Sequence, residues 1–356
     1  MFFLLASYFQ IFILSYFRVH IGYDYDMYAE GFLKMGIKGF STLEYLDWEY
    51  GFNLYTKLIA SISNNQTIYF GITALICLIP VAIFIYRNSK MIWLSTLLYV
   101  NLSFFYCTMN FLRQSIAIGL SLIAWEFLKK RKFLLFTLII LVASTFHSTV
   151  LILLPVYFIV NCKPKVQTEL LYCYGLLFFY ISSDGFIDLL TDVFHSDYKD
   201  SIFIREGLPF VYALIPIAIL ILTLCYKEKL IAFDSNNKYL IQMLYLSVFF
   251  MIIMSRHAIL ERLSYYSYSY VILLLPELIL TIKHYYDVKL LDGNVAFNES
   301  MEQARISISY GSRKGILIAR VLTLVILLIT TVYNFLGAYA GESGIHGVFP
   351  FQTWLS

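Results

Sequence analysis

Arginine and histidine side chains stand at the ends of several long apolar segments of this chain. Arg113 opens the apolar part of NFLRQSIAIGLSLIAWEFLKKRK (110–132), and His147 lies between two further apolar segments. A third group, in SRHAILERLSYYSYSY (255–270), consists of Arg256, His257, Glu261 and Arg262. Because charged groups beside hydrocarbon are costly, residues of this kind usually serve a function.

The residue types favour the binding of an anionic lipid head. Guanidinium groups bind a diphosphate through paired hydrogen bonds. Carboxylates in the segment 18–50 could act as a general base towards a sugar hydroxyl, and they are Asp24, Asp26 and Glu49. His257 and Glu261 are four residues apart, which predicts that they pair on one helical face, with Arg262 on the neighbouring face.

Structural explanations exist for each of these residues. Interfacial arginines can extend to lipid headgroups, and tyrosines commonly line membrane boundaries. His257, Glu261 and Arg262 could form an ion-pair network that joins two helices, and His147 could be an ordinary helix-end histidine. Three separate segments that bring Arg or His to the same side of a membrane favour the functional interpretation.

Several classes of chemistry are disfavoured. The chain has no GxGxxG, P-loop or HExxH motif, which argues against nucleotide-driven and metallohydrolase chemistry. No CxxC pair occurs among the five cysteines, so neither a disulfide framework nor a zinc site is indicated. The basic residues lie between the apolar segments and do not suggest nucleic-acid binding. We therefore expect no metal, no cofactor and no nucleic-acid partner.

The composition is typical of a membrane protein. Residues are 60% hydrophobic and 14% charged, against about 25% charged in soluble domains, so little polar surface is left to face water. The apolar runs are continuous and do not alternate, which favours helices over a barrel. We expect an all-α polytopic integral membrane protein with about eleven transmembrane helices, in one domain over residues 1–356. The predicted spans are 2–17, 68–86, 91–109, 111–128, 133–146, 148–160, 170–183, 209–226, 239–254, 264–282 and 315–336.

Lysine and arginine sort the connecting loops by side. Basic loops alternate with the loops 184–208 and 337–356, which are poor in Lys and Arg. The positive-inside rule makes the basic set cytoplasmic. That set is 87–90 (RNSK), 129–132 (KKRK), 161–165 (NCKPK), 227–229 (KEK) and the long loop 283–314.

The segment GFNLYTKLIASIS (51–63) is too short and polar for a span of about 20 residues. We expect it to form a short re-entrant or interfacial helix within an outer loop that covers 18–67. The amino terminus is then inside, and the C-terminal tail 337–356 is outside.

Short motifs along the chain resemble those of the EpsG-like polysaccharide polymerases, a Wzy-type family. RVHIGYDYDMY (18–28) resembles the family motif R-x-D-x-G-x-D-Y-x-x-Y, with His20 where an acidic residue is usual. The further matches occur in order along nearly the whole chain. They are EYGF (49–52), NFLRQSIA (110–117), FHST (146–149), ERLSYY (261–266) and FPF (349–351).

The resemblance implies a bacterial inner-membrane glycosyltransferase that acts at the periplasmic or outer face. Such enzymes join oligosaccharide repeat units carried on undecaprenyl diphosphate, in O-antigen, capsule or exopolysaccharide synthesis. The lipid diphosphate is the leaving group, so no nucleotide sugar is needed. Membrane lipids, a flippase and a chain-length regulator are the expected partners, and a GT-C-like glycosyltransferase architecture is compatible with this function.

The candidate site combines both lines of reasoning. Asp24 and Glu49 are alternative general bases, and His147 is a candidate for phosphate binding or proton transfer. The candidate residues for binding the substrate and its diphosphate are Arg18, Tyr28, Arg113, Gln114, Arg256, His257, Glu261, Arg262 and Tyr266.

Two other classes of function stay open. A flippase or other transporter of lipid-linked sugars would also present cations, although it would place them near the membrane midplane on broken helices of paired halves. An outer-face glycan ligase or acyltransferase would share the same arrangement of charges.

Overall fold

The computed structural model describes residues 2–37, 46–194, 206–294, 313–338, 345–348 and 353. Within these ranges the chain is helical, apart from turns and one isolated antiparallel bridge between Arg18 and Thr353. The predicted all-α class is therefore confirmed. Most of the predicted loop 283–314 and the FPF motif lie outside the described residues.

The helices fall into two compact units. The first unit comprises Met1–Phe158 and Thr330–Ser356, and the second comprises Ile159–Ile329. Helices that lie wholly or largely in the first unit are α1 (Phe2–Phe17), α2 (Tyr25–Ile37), α3 (Tyr50–Ile62), α4 (Gln66–Asn88), α5 (Ile92–Asn101), α6 (Phe104–Asn110), α7 (Leu112–Lys129), α8 (Phe133–Ser144) and α9 (Leu153–Asn161). The remaining helices are α10 (Val166–Phe194), α11 (Val211–Phe233), α12 (Asn237–Ile253), α13 (Glu261–Tyr268), α14 (Val271–Asn294) and α15 (Arg313–Ala338).

Each of the eleven predicted spans coincides with a helix or with a bent pair of helices. Length and apolarity support fewer crossings. Within the part of the chain that the structure describes, three helices can cross a membrane on these grounds, within Gln66–Asn88, Val211–Phe233 and Lys314–Gly337. Two pairs, α5 with α6 and α13 with α14, qualify if each bent pair counts as one span, with bends of 51° and 50°. The protein is a membrane protein, and the count of about eleven spans is not confirmed.

The outer loop predicted over 18–67 contains two helices where the sequence analysis expects one. α3 covers the expected segment, and α2 precedes it. Five apolar positions of α2 recur at helical spacing, as i, i+3, i+4, i+7 and i+10. They are all buried, at Tyr25, Tyr28, Ala29, Phe32 and Met35. This stripe packs with side chains of α3, α4 and α7 in one apolar cluster, which fixes α2 and α3 against the helix that carries Arg113.

The joint between α6 and α7 determines where Arg113 lies. Phe111 ends α6 and also precedes the first residue of α7. The hydroxyl of Ser115 donates a hydrogen bond to the carbonyl oxygen of Cys107 across this joint, at 3.1 Å. Arg113 is therefore in the first turn of α7, two residues after the non-helical residue Phe111.

Candidate functional site

Glu49 lies immediately before α3, at a point where that helix meets the end of α8. The Asn53 amide holds the preceding turn by donating to the carbonyl oxygens of Leu46 and Trp48, at 3.1 and 2.8 Å. The Gly51 amide donates to the carbonyl oxygen of Thr145 at 2.8 Å. A Cβ atom at Gly51 would lie 2.3 Å from Thr145 Oγ1, so only glycine permits this approach.

The Glu49 carboxylate bridges two of the predicted site residues. Its Oε2 accepts a hydrogen bond from Arg113 Nη1 at 2.6 Å. Its Oε1 lies 2.9 Å from His147 Nδ1 and accepts from the backbone N–H of Ser148 at 3.2 Å. Because an ionised carboxylate only accepts, the Nδ1 atom carries the hydrogen and Nε2 is the nitrogen left for other partners. Donors from α7 and from the turn after α8 thus converge on a carboxylate at the start of α3.

This environment keeps Glu49 ionised. Burial by itself raises the pKa of the carboxyl group. The hydrogen bond from His147 and the charge of Arg113 oppose burial and lower the pKa from its usual 4.5 to about 2. A carboxylate with such a pKa is a stable counter-ion and a weak base at neutral pH.

Tyr28 and Asp24 connect α2 to the same helix start. The buried Tyr28 hydroxyl accepts a long contact from Arg113 Nε, at 3.5 Å. One turn earlier, the backbone N–H of Asp24 donates to Asn110 Oδ1 at 3.2 Å. The first turn of α2 therefore lies along the segment that contains Arg113, and Asp24 belongs to the same neighbourhood of the first unit.

Arg18 and Gln114 are buried in the first unit. Arg18 donates from Nη1 to the carbonyl oxygen of Met109, and its guanidinium lies 4.8 Å from the centre of the Phe70 ring. Arg18 is therefore enclosed. It joins the motif loop, which is the loop between α1 and α2 at residues 18–24, to the end of α6. Gln114 follows Arg113 on the buried side of α7. Their predicted roles in substrate binding stay predictions.

A second carboxylate bridges an arginine and a histidine in the second unit. Asp184 Oδ2 accepts from Arg256 Nη2 at 2.5 Å, and Asp184 Oδ1 lies 3.2 Å from His257 Nε2. The sequence analysis did not select Asp184. The available signal was its position as the acidic residue directly after the apolar run 170–183.

The expectation that His257 and Glu261 share a helical face is wrong. His257 has extended backbone angles, a short 3-10 turn covers Ala258–Leu260, and the α-helix begins only at Glu261. Because no continuous α-helix spans His257 and Glu261, their i, i+4 spacing does not place them on one helical face. Asp184 approaches His257, while Glu261 Oε1 accepts from the Tyr265 hydroxyl at 2.8 Å.

Arg262 and Tyr266 follow in α13, where Tyr266 is buried and Arg262 is half-buried. The structure thus brings Glu49, Arg113, His147 and Tyr28 together in the first unit, with Asp24 nearby. Arg256, His257, Glu261, Arg262 and Tyr266 belong to the second unit. Among the residues that the structure describes, no cluster of three His, Cys, Asp or Glu side chains could hold a metal ion.

In chemical terms, the first unit offers an arginine and a histidine already arranged around one carboxylate. An arginine and a histidine that share a carboxylate can share a phosphate group in the same way, since both anions present paired oxygens.

A family model described as the EpsG family matches residues 1–293. No curated protein and no solved structure matches the chain.

Proposed function

This chain belongs to the EpsG family, and we propose that it is a polysaccharide polymerase of the bacterial inner membrane. It joins oligosaccharide repeat units carried on undecaprenyl diphosphate, at the periplasmic or outer face, in O-antigen, capsule or exopolysaccharide synthesis. The EpsG family indicates a membrane protein of the polysaccharide-polymerase type. The lipid-linked donor and the side of the membrane are our proposals.

One observation carries the proposal, namely the carboxylate of Glu49 held between Arg113 and His147. It supports a site in which two side chains present hydrogen-bond donors to a single anionic group. The diphosphate of the donor lipid takes the place of that carboxylate. Arg113 then stabilises the negative charge that develops as the diphosphate departs.

The reaction is a glycosyl transfer. A hydroxyl oxygen of the acceptor sugar forms a bond with the anomeric carbon of the donor, and the bond from that carbon to the diphosphate oxygen breaks. The diphosphate lipid leaves as an anion that Arg113 and His147 bind. The proton of the attacking hydroxyl passes to a carboxylate, so that charge and atoms balance.

Two carboxylates remain candidates for that proton, and the geometry gives each a condition. Glu49 is a weak base while it is paired with Arg113 and His147, since these contacts lower its pKa to about 2. Displacement by the diphosphate would release it and restore its basicity. For Asp24 the condition is reach: its backbone N–H donates to Asn110 Oδ1, and its carboxylate must face the acceptor hydroxyl.

The second unit offers candidate anion-binding residues of its own. Arg256, His257 and Arg262 bind anionic groups of the substrate, and Tyr266 and Glu261 contribute hydrogen bonds. The Asp184 bridge between Arg256 and His257 supports this role, because it repeats the carboxylate, arginine and histidine combination of the first unit.

The experiment that tests the function replaces Arg113 with Ala in the native host. We expect the variant to insert at normal levels and to lose the ladder of glycan chain lengths, which leaves single repeat units. Arg87→Ala is the matched control, since Arg87 is an exposed arginine in the last turn of α4, and the variant's ladder should be normal. A normal ladder for Arg113→Ala at normal expression contradicts the assignment.

The same assay separates the polymerase from a flippase. Loss of a polymerase leaves single repeat units at the cell surface, whereas loss of a flippase leaves none. A ligase or acyltransferase would instead change the acceptor molecule, which mass analysis of the product would show.

A further inference from the structure

The C-terminal segment of the chain contacts the motif loop between α1 and α2. The family match ends at residue 293, and this segment lies well beyond it. The backbone N–H of Gly22 donates to the carbonyl oxygen of Gly347 at 2.8 Å. Four residues before Gly22, Arg18 forms an antiparallel bridge with Thr353. Two separate backbone contacts thus join the C-terminal segment to the loop.

The motif loop is enclosed on its other side by the end of α6. A Cβ atom at Gly22 would lie 2.3 Å from the carbonyl oxygen of Met109. Both Gly22 and Gly347 have positive φ angles, of 95° and 65°. Because glycine adopts such angles without steric cost, these positions allow three backbone segments to approach closely.

His346 extends the contact to the joint between α6 and α7. Its ring is 5% exposed, and Nε2 lies 3.4 Å from Cys107 Sγ. The ring also stands nearly perpendicular to that of Phe111, with centroids 5.2 Å apart. Phe111 separates α6 from α7, and Arg113 is two residues further along.

His346 contributes contact and not charge. Burial lowers the pKa of its imidazole from 6.5 to about 4, so the ring is neutral at neutral pH. Its backbone has a φ of 66°, which a non-glycine residue adopts only at a steric cost. Such a conformation persists where the surrounding contacts determine it, and here those contacts come from Cys107 and Phe111.

The end of α15, which precedes this segment in the chain, packs against α5 and α6. Asn334 donates to the carbonyl oxygen of Val100 at 2.9 Å and accepts from the Tyr106 hydroxyl at 3.2 Å. Asn101 donates to Thr331 Oγ1 at 3.0 Å. These contacts hold the last turns of α15 against α5 and α6, within the first unit.

We propose that His346 is a positioning residue of the site: it fixes Phe111 and the α6–α7 joint, and thereby aims Arg113 at Glu49. The proposal rests on the proposed function, because only that function gives the Arg113–Glu49 pair a role in catalysis. The structural coupling itself can be measured without any substrate, so the two can fail separately.

The test is a double-mutant cycle on the purified full-length protein, read by its melting temperature. The coupling is the part of the double variant's change in melting temperature that the two single variants, Glu49→Gln and Arg113→Gln, do not account for. It is measured in an otherwise native chain and again in a chain that carries His346→Gly. We expect a clear coupling in the native background that falls by more than half with His346→Gly. The general loss of stability from His346→Gly is common to all members of the cycle and cancels.

Two further variants keep the test decisive. His20→Gly is the matched control, because His20 also has a positive φ, of 52°, while its exposed ring contacts Asp26 on α2. It should leave the coupling unchanged. Phe111→Leu removes the other side of the ring contact and should reduce the coupling as His346→Gly does, even if His346→Gly folds poorly. An unchanged coupling in both the His346 and Phe111 variants, or no coupling in the native background, overturns the proposal.

Discussion

Arg113 and Glu49 are 64 residues apart in the sequence, yet Arg113 Nη1 lies 2.6 Å from Glu49 Oε2. Both side chains are mostly shielded from solvent, with about a fifth of each exposed (19% and 18%). In such a setting the removal of one partner costs more stability than it does in a surface ion pair, because the other charge is left poorly solvated. The pair is therefore the natural place to test both the stability of the site and its chemistry.

Arg113→Lys should not rescue the function of Arg113. Lysine keeps the charge but has a single donor group, so it cannot contact Glu49 and Tyr28 from two different nitrogens as Arg113 does. We expect chain-length laddering at a small fraction of the native level, about tenfold or more below it, for a loss of roughly 1.4 kcal/mol or more in transition-state stabilisation. Glycan electrophoresis at matched expression measures this. Laddering close to the native level would show that charge alone suffices.

Glu49→Gln should strengthen the binding of inorganic diphosphate. The substitution preserves the shape of the side chain and removes the anion that occupies the space between Arg113 and His147. In the native protein only the fraction of molecules in which the Arg113–Glu49 pair is open can bind diphosphate. If that fraction is about one in ten, removal of the carboxylate raises the apparent affinity roughly tenfold. Calorimetry of the purified protein with inorganic diphosphate measures the change.

Glu30→Gln is the control for that measurement. Glu30 forms an exposed i, i+4 ion pair with Lys34 on α2, at 3.2 Å, so its removal should leave diphosphate binding as it was. Weaker binding by Glu49→Gln would show that Glu49 orients Arg113 for the ligand and does not compete with it. Absence of diphosphate binding in every variant would count against the proposed function itself.

Much of the fold and part of this site could be predicted from the sequence. Apolar runs are local, so every predicted span coincides with a helix or a bent pair. Arg113 and His147 stand out because charge at the end of an apolar segment is costly wherever the chain folds. Glu49 stands out as a carboxylate of the predicted outer loop and as part of the EYGF motif. Their convergence on one carboxylate could not be derived, because it depends on how α3 docks against α7 and α8.

The errors and omissions have local physical causes. His257 and Glu261 were paired on the assumption of a continuous helix, and a 3-10 turn intervenes. α2 lies within the segment 18–50, which the sequence analysis treats as an outer loop because of its Asp and Glu residues, without regard to the apolar stripe. His346 carries no signal in the sequence, since GIHG resembles an ordinary surface turn and only the fold places it beside Phe111.

Acid should destabilise the protein partly through Glu49. Its pKa in the folded state, about 2, lies below the usual 4.5, so its stabilising contribution is complete above the usual value. The contribution is lost as the pH falls from about 4.5 towards 2, and the shift corresponds to about 3 kcal/mol. Melting temperatures of the native protein should therefore fall more steeply over this range than those of Glu49→Gln. Parallel curves for the two proteins would contradict the pairing.

Gly22→Ala should disturb the motif loop and reduce polymerisation together with stability. An added Cβ atom would meet the carbonyl oxygen of Met109 at 2.3 Å, in a backbone conformation with a φ of 95° that alanine adopts poorly. We expect a loss of about 2 kcal/mol or more in stability, measured by thermal melting. Gly185→Ala is the matched control, because no atom lies within 4 Å of its added Cβ and the helical position should gain about 0.5–1 kcal/mol. Equal melting temperatures for the two variants would show that the loop tolerates displacement from the end of α6.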